Sequence, residues 1–138
     1  MGGATLTWVN VFARDLDGLF AFYGDVFGCR EIPEVRNSVF RGLSTGRSAL
    51  GFMARDVYGI LQLGGHEDDE GIKVLLNFDV ATVEDVDRLT PVAVARGATL
   101  VKSAAMTSYG WYQATLLDPE GNVFRINTVV SGYAIGSS

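Results

Sequence analysis

The run from Asp118 to Ile126, Asp-Pro-Glu-Gly-Asn-Val-Phe-Arg-Ile, constrains the fold of this chain more than any other stretch. Its first half predicts a tight turn, because an aspartate can accept hydrogen bonds from the backbone ahead of it, proline fixes φ at about −65°, and glycine tolerates positive φ. The segment from Val123 to Val129 then alternates as a half-buried strand does, and Trp111 to Leu117 leads into the turn as another β-prone segment. We therefore predict a β-hairpin here.

An order of strand, helix, glycine and three strands occurs twice along the chain. Asp15 and Gly28 have the places of the N-cap and the terminal glycine in the first helix, and Thr82 and Gly97 have those places in the second. Pro91 lies inside the second helix and is expected to bend or shorten it. The predicted strands are Thr5 to Ala13, Arg30 to Val35, Val39 to Leu43 and Ala49 to Ala54, then Lys73 to Val80, Thr99 to Ser103, Trp111 to Leu117 and Val123 to Val129.

Length and composition favour one compact domain. The chain has 138 residues, of which 48% are hydrophobic, so it can bury a core without disulfides. We predict a single α+β domain over residues 1–138, with modules at 5–56 and 72–130, a connecting loop at 57–71 and a flexible tail at 131–138.

The charge indicates the class of partner, and the cysteine content indicates the cellular compartment. The net charge is −5 and the Lys and Arg residues are scattered, which argues against a nucleic-acid partner. No apolar run approaches the roughly 20 residues that a membrane span needs. The single cysteine, Cys29, indicates a reducing compartment. We expect a cytoplasmic protein that binds neither nucleic acid nor membrane.

Two motifs together resemble a known superfamily. The segment Phe22 to Gly28, Phe-Tyr-Gly-Asp-Val-Phe-Gly, resembles the helix-ending motif Phe-Tyr-x-Asp-x-Leu-Gly, and Asp118 to Asn122 resembles its partner, Asp-Pro-x-Gly-Asn. With the doubled element order, they resemble the vicinal oxygen chelate superfamily, which contains glyoxalase I, extradiol dioxygenases, epimerases and bleomycin-resistance proteins. The resemblance extends from Leu6 to Val129. It implies two tandem βαβββ modules whose curled sheets form a shared cleft, often completed in a homodimer, which we expect here.

The resemblance also carries an expectation about metal. Enzymes of the superfamily hold a divalent metal ion with His, Glu or Gln side chains from the first and fourth strands of each module. Carried over to this sequence, these positions fall on Trp8, Leu75 and Arg125 and near Gly51. None of these residues offers a donor that a divalent cation prefers, and the fixed charge of arginine repels one. We therefore expect no metal ion and no other cofactor.

The inward faces of the strands combine aromatic surface with polar side chains, as small-molecule pockets do. In the alternative, Arg125 pairs with Asp79 or Asp118 and the amides satisfy one another inside a closed barrel. We favour the pocket because polar residues are unusually dense on these faces. The predicted ligand-binding residues are Trp8, Asn10, Phe12, Leu75, Asn77, Asp79, Trp111, Gln113, Arg125 and Asn127.

Two residues that often carry chemistry receive structural interpretations instead. His66, the single histidine, lies in an acidic stretch that is typical of a solvated connecting loop rather than of a metal or acid–base site. Cys29 follows a helix C-terminus, where the helix dipole disfavours a thiolate, so packing is favoured over a nucleophilic role.

Our leading functional hypothesis is a metal-independent protein that binds a small, partly aromatic organic molecule. Arg125 would anchor an anionic or carbonyl oxygen, Asn10 and Asn77 would orient the ligand, and the two tryptophans would stack on it. The alternative is a lyase, isomerase or dioxygenase acting on a small carbonyl or aromatic compound. Without metal, Asp79 would serve as general base while the arginine stabilises an enolate; a metal-dependent lyase or dioxygenase is the third possibility.

Overall fold

The computed structural model describes residues 3 and 5–135, and the chain divides into two compact units, one ending at Glu70 and one beginning at Gly71. The first unit contains strands β1 (Trp8–Ala13), β2 (Arg30–Glu31), β3 (Phe40–Ser44) and β4 (Ala49–Ala54) with helices α1 (Leu16–Phe27) and α2 (Asp56–Ile60) and a 3₁₀ turn (Pro33–Val35). The second contains strands β5 (Leu75–Asp79), β6 (Thr99–Met106), β7 (Trp111–Leu117) and β8 (Val123–Val129) with helix α3 (Val83–Ala95).

The two units repeat one topology. The first sheet has the strand order β1-β4-β3-β2 and the second has β5-β8-β7-β6. In each, the first strand pairs in parallel with the last, and the other neighbours pair antiparallel. The predicted α+β fold of two tandem βαβββ modules is therefore confirmed.

Helix α1 forms where the sequence predicts it because both ends are capped. Asp15 accepts a hydrogen bond from the backbone N of Gly18 at 3.0 Å, and Gly28 ends the helix with φ of 65°. The apolar side of α1 packs against β3 and β4, where Leu43 and Phe52 are almost fully buried. The helix therefore covers one face of the first sheet and leaves the residues of alternating register on the opposite face.

Helix α3 covers one face of the second sheet in the same way. The Thr82 side chain caps its start by accepting from the backbone N of Asp85 at 3.1 Å, and Gly97, with φ of 111°, follows its end. The helix continues through Pro91 to Ala95, so the proline does not end it. Its buried Val86 belongs to the same core as strand residues such as Leu116, Phe124 and Ile126, none of which is exposed to solvent.

The turn between β7 and β8 has the predicted chemistry. The Asp118 side chain is 3% exposed, and its Oδ1 accepts from the backbone N of Glu120 at 2.8 Å and of Asn122 at 3.0 Å. Gly121 has φ of 90°, a conformation that side chains with a Cβ rarely adopt. The turn fixes the register of β8 against β7, with Arg125 opposite Thr115 and Asn127 opposite Gln113.

Several element bounds differ from the sequence prediction. β1 begins at Trp8 rather than Thr5, and β5 spans five residues rather than eight. β2 has only two residues because Pro33 starts a 3₁₀ turn, and β6 continues beyond Ser103 to Met106 across two irregularities in its pairing with β7. The segment expected to be an irregular connection contains α2 at its start.

The last part of the predicted tail, 136–138, lies outside the described residues. Within the described residues, no helix is both long and apolar enough to cross a membrane.

Candidate functional site: the helix-free face of the second sheet

The pairing register of the second sheet places its polar residues in two parallel rows on the face opposite α3. One row, which we call the cation row, joins Asn77 to Arg125, Arg125 to Thr115, and Thr115 to Lys102 as directly opposed partners. Directly opposed residues project from the same face of a sheet.

The second row, which we call the acceptor row, lies two residues further along β5 and β8. It joins Asp79 to Asn127, Asn127 to Gln113, and Gln113 to Ala105. The strand rise of about 3.4 Å per residue places the two rows about 7 Å apart.

Hydrogen bonds join the two rows at β5 and β8. Arg125 donates through Nε to Asn77 Oδ1 at 3.1 Å, and Asn77 donates through Nδ2 to Asp79 Oδ1 at 2.8 Å. The same Asp79 oxygen accepts from Asn127 Nδ2 at 2.8 Å. Because every member is held by a neighbour, these four side chains form one connected network rather than separate surface groups.

Two groups of this network, the Arg125 guanidinium and the Asn127 amide, keep atoms without a hydrogen-bond partner among the described residues. Within the part of the chain that the structure describes, no carboxylate makes an ion pair with Arg125, and the terminal nitrogens of its guanidinium have no hydrogen-bond partner. The predicted alternative, in which Arg125 pairs with Asp79 or Asp118, is therefore not the arrangement found over these residues. Asn127 is fully buried, and its Oδ1 has no hydrogen-bond partner.

A cavity of about 330 Å³ lies beside β6 and β7 on the same face. Lys102, Gln113 and Thr115 line it from the strands, and the loop that joins these strands contributes Thr107, Ser108 and Tyr109. The Gln113 amide donates through Nε2 to the Tyr109 hydroxyl at 2.8 Å, and its buried Oε1 has no partner. Tyr109 also contacts Trp111 edge to face, with ring centroids 5.5 Å apart. The cavity is therefore walled by one cation, several hydroxyls, an amide and aromatic surface.

Three predicted ligand-binding residues lie on the helix-free face of the first sheet. Phe12 stacks on the Tyr58 ring at 3.9 Å, with the planes at 13°. Trp8 contacts Phe40 with ring centroids 5.9 Å apart and lies so close to Gly42 that an added Cβ would be 3.1 Å from its ring. Asn10 is exposed. Much of the aromatic surface on this face is thus already in contact with other side chains.

Among the predicted ligand-binding residues of the second unit, some are joined by hydrogen bonds and others lie at the ends of their strands. Asn77, Asp79, Arg125 and Asn127 form one network, and Gln113 stands opposite Asn127 in register. Leu75 and Trp111 lie at the ends of their strands, and Leu75 is 41% exposed. The direct contact of any of the ten with a ligand stays a prediction.

Sequence reasoning missed Lys102, Thr115 and Tyr109. The pairing between β6 and β7 shifts on both sides of Lys102, so simple alternation along β6 does not reveal which face the lysine shares. Thr115 could have been found, because it alternates with Gln113 along β7. Tyr109 lies in a loop, where periodicity gives no signal.

Two of the positions that the resemblance pairs with metal ligands, Arg125 and Gly51, can be compared in the two sheets. Arg125 opposes Asn77 on the second sheet, and Gly51 opposes Asn10 at the corresponding place on the first. A Cβ added to Gly51 would approach the Phe40 ring at 2.6 Å and would meet the Asn10 amide oxygen, so a bulky metal-binding side chain has no room there as the sheet stands. Over residues 3 and 5–135, no three His, Cys, Asp or Glu side chains are grouped to hold a metal ion.

The two residues given structural interpretations, His66 and Cys29, both belong to the first unit. His66 is exposed and pairs through Nδ1 with Asp69 Oδ2 at 3.0 Å. Burial raises the pKa of the Cys29 thiol above its usual value, which disfavours the reactive thiolate.

Comparison with known proteins defines the class. The profile of the family described as a glyoxalase-like domain matches residues 8–127, so the chain belongs to this family. A glyoxalase/bleomycin resistance protein/dioxygenase family enzyme from Burkholderia phytofirmans PsJN is 56% identical, with a TM-score of 0.89, over 91% of this chain and 99% of that one.

More distant structures share the fold. A glyoxalase-related enzyme from Fulvimarina pelagi is 20% identical with a TM-score of 0.75, over 97% of this chain and 95% of that one. A lactoylglutathione lyase from Agrobacterium tumefaciens is 19% identical with a TM-score of 0.68, over 93% and 96%. A search of curated proteins found no match.

Proposed function

We propose that this protein binds a small, partly aromatic organic molecule without a metal ion, and that Arg125 anchors an anionic or carbonyl oxygen of the ligand. The observation that carries the proposal is the hydrogen bonding of the Arg125 guanidinium. Its Nε is held by Asn77 at 3.1 Å, while its two terminal nitrogens have no partner among the described residues.

A guanidinium held in this way is suited to bind an oxygen anion. Its planar donors match the two oxygens of a carboxylate, and less side-chain freedom is lost on binding when one donor is already fixed. Asn77 is itself held by Asp79 at 2.8 Å, so the donor geometry is set before a ligand arrives. Tyr109, which lines the cavity beside β6 and β7, and Trp111, which contacts its ring, supply the aromatic surface that a partly aromatic ligand needs.

The residues at the positions that the resemblance pairs with metal ligands offer no donor that a divalent cation prefers. This supports the metal-independent part of the proposal. A cation placed between Arg125 and its neighbours would meet a fixed positive charge, whereas an anionic ligand would meet an attractive one. In this proposal the arginine therefore takes the electrostatic role that a metal ion has in other members of the superfamily. Predicted roles for Trp8, Asn10 and Phe12 remain predictions.

The test is calorimetric titration of chelator-treated protein with a series of aromatic carboxylates, comparing wild type with Arg125→Ala. We expect Arg125→Ala to weaken carboxylate binding by about tenfold or more, since hydrogen bonds to charged groups contribute about 1.5–3 kcal/mol. Arg88→Ala, which removes an exposed arginine of α3 paired with Asp85, is the matched control and should leave affinity unchanged. Equal affinity of wild type and Arg125→Ala for a bound carboxylate would remove the anchor role.

One observation favours a second candidate, an enzyme that acts without metal. Asp79 is exposed, and its Oδ2 has no partner among the described residues, so this oxygen could accept a proton from a ligand carbon beside a carbonyl. The similar Burkholderia protein is called an enzyme. Exchange of pyruvate methyl protons with deuterated solvent, followed by NMR, tests this candidate. Asp79→Asn should slow any catalysed exchange by about 10² to 10⁴, and exchange no faster than in buffer would exclude the reaction for this probe.

A further inference from the structure

The proposed function uses only the aromatic surface of Tyr109 from the cavity beside β6 and β7, and gives no role to the charged and amide groups that line it. Two polar groups that line it have no partner of opposite character among the described residues. Lys102 is an exposed cation with no carboxylate partner among the described residues, and Gln113 Oε1 is a buried acceptor with no donor. A buried polar atom without a partner is costly, and most such atoms are satisfied by a ligand or an ordered water.

Register connects the cavity to Arg125. Lys102 and Arg125 are both directly opposed to Thr115, on its two sides, so the two cations project from one face with a hydroxyl between them. Two strand spacings separate their Cα atoms by about 10 Å, a distance that long side chains close readily. The cation row therefore concentrates positive potential over Thr115 even though the chain as a whole carries a net charge of −5.

The acceptor row has the opposite character. Gln113 Oε1 and Asn127 Oδ1 are both buried without a donor, and these residues are direct neighbours across β7 and β8. The Gln113 amide donates at its other end to the Tyr109 hydroxyl at 2.8 Å, so in this orientation Oε1 has no donor among the described residues. What this row lacks is an N–H or O–H group.

We propose that this face is a two-part site for an organic acid that also carries an N–H or O–H donor. The anionic group lies over the cation row, between Lys102 and Arg125, and the donor lies about 7 Å away, where it reaches Gln113 Oε1. The inference rests on the proposed function, because Arg125 belongs to both. It adds the chemical class of the ligand and assigns a specificity role to Lys102 and Gln113.

The test is calorimetric titration of the full chain with three matched probes. 4-Hydroxybenzoate carries both groups at opposite ends of one ring, benzoate lacks the donor, and 4-hydroxybenzamide lacks the charge. Wild type should bind 4-hydroxybenzoate about fivefold more tightly than benzoate, since one added hydrogen bond to a buried acceptor has an effect of that order.

The variants separate the two parts of the site. Lys102→Met should weaken both acids by about threefold to fivefold and leave 4-hydroxybenzamide unchanged, and Lys73→Met, at the chain's other lysine, should change nothing. Gln113→Met should abolish the preference for 4-hydroxybenzoate over benzoate. Because losing the Gln113 amide also breaks its bond to Tyr109, Gln113→Glu provides a second variant. It keeps an acceptor but adds a negative charge, so it should weaken both acids while 4-hydroxybenzamide still binds.

The outcomes distinguish this inference from the proposed function. If Arg125→Ala weakens binding while Lys102→Met and Gln113→Met do not, the two-part site is wrong and the arginine anchor stands. The two-part site is also wrong if wild type binds benzoate as tightly as 4-hydroxybenzoate, which would mean that water satisfies the buried acceptor. If no probe binds wild type at millimolar concentration, both proposals fall.

Discussion

Replacing Asp118 by alanine tests whether the turn between β7 and β8 holds the second sheet together. The carboxylate is 3% exposed, and its Oδ1 accepts two backbone hydrogen bonds at 2.8 and 3.0 Å. The Asn122 side chain donates through Nδ2 to both carboxylate oxygens, at 2.9 Å to Oδ2 and 3.2 Å to Oδ1. Alanine removes all of these acceptors at once.

The expected loss follows from the number and type of these bonds. A hydrogen bond to a charged acceptor contributes about 1.5–3 kcal/mol, and the low end applies because Glu120 and Asn122, whose N–H groups are freed, are partly exposed to water. The two backbone bonds then give a destabilisation of about 3 kcal/mol for Asp118→Ala. Asp118→Asn keeps a neutral acceptor at one oxygen and should cost only about 1 kcal/mol.

The assay is equilibrium urea unfolding followed by circular dichroism, with Glu34→Ala as control. Glu34 is an exposed carboxylate in the first unit, and its removal should change the free energy of unfolding by no more than about 0.5 kcal/mol. The reasoning is refuted if Asp118→Ala costs less than about 1 kcal/mol, or if asparagine proves as damaging as alanine. The first result would mean that turn conformation, and not the carboxylate, fixes the hairpin, and the second would mean that a neutral acceptor contributes nothing at this position.

Three further predictions concern single side chains. Asp79→Ala removes the acceptor of buried Asn127 and should cost about 1–3 kcal/mol in urea unfolding, and an unchanged stability would show that water replaces the carboxylate. Burial raises the folded-state pKa of Cys29, so its contribution to stability is present below the unfolded pKa and is lost as pH rises through the folded value. Mass spectrometry should therefore show that iodoacetamide labels it more slowly in the native than in the unfolded chain at pH 8, and equal rates would contradict the burial. Gly51→Ala should destabilise by about 1–3 kcal/mol, because its Cβ would lie 2.6 Å from the Phe40 ring, and wild-type stability would show that the ring moves freely.

The fold could be predicted from the sequence largely because its signals are local. Asp15 and Thr82 cap helices through their own side chains, and the glycine of the Asp118 turn has the positive φ that its type favours. The bounds of β7 and β8 were predicted correctly because both strands alternate cleanly between two turns. β6 was predicted too short, since its irregular pairing breaks the alternation.

The site was harder to predict, for a physical reason. Once the strand pairing is known, period-two alternation along each strand places Asn77, Arg125 and Asn127 on one face. The partner of Arg125 does not follow, because its choice between a carboxylate and Asn77 depends on side-chain geometry. Lys102 depends on a bulge, and bulges leave little trace in the sequence.

The metal content of protein purified without chelators tests the central claim most directly. Mass spectrometry of the native chain, with elemental analysis of the same sample, counts bound ions per chain. We predict far less than one Zn, Ni, Mn or Fe per chain in protein that still binds an aromatic carboxylate, because Arg125 carries a fixed positive charge at a position that the resemblance pairs with a metal ligand. A stoichiometric metal ion whose removal abolishes that binding would contradict this account.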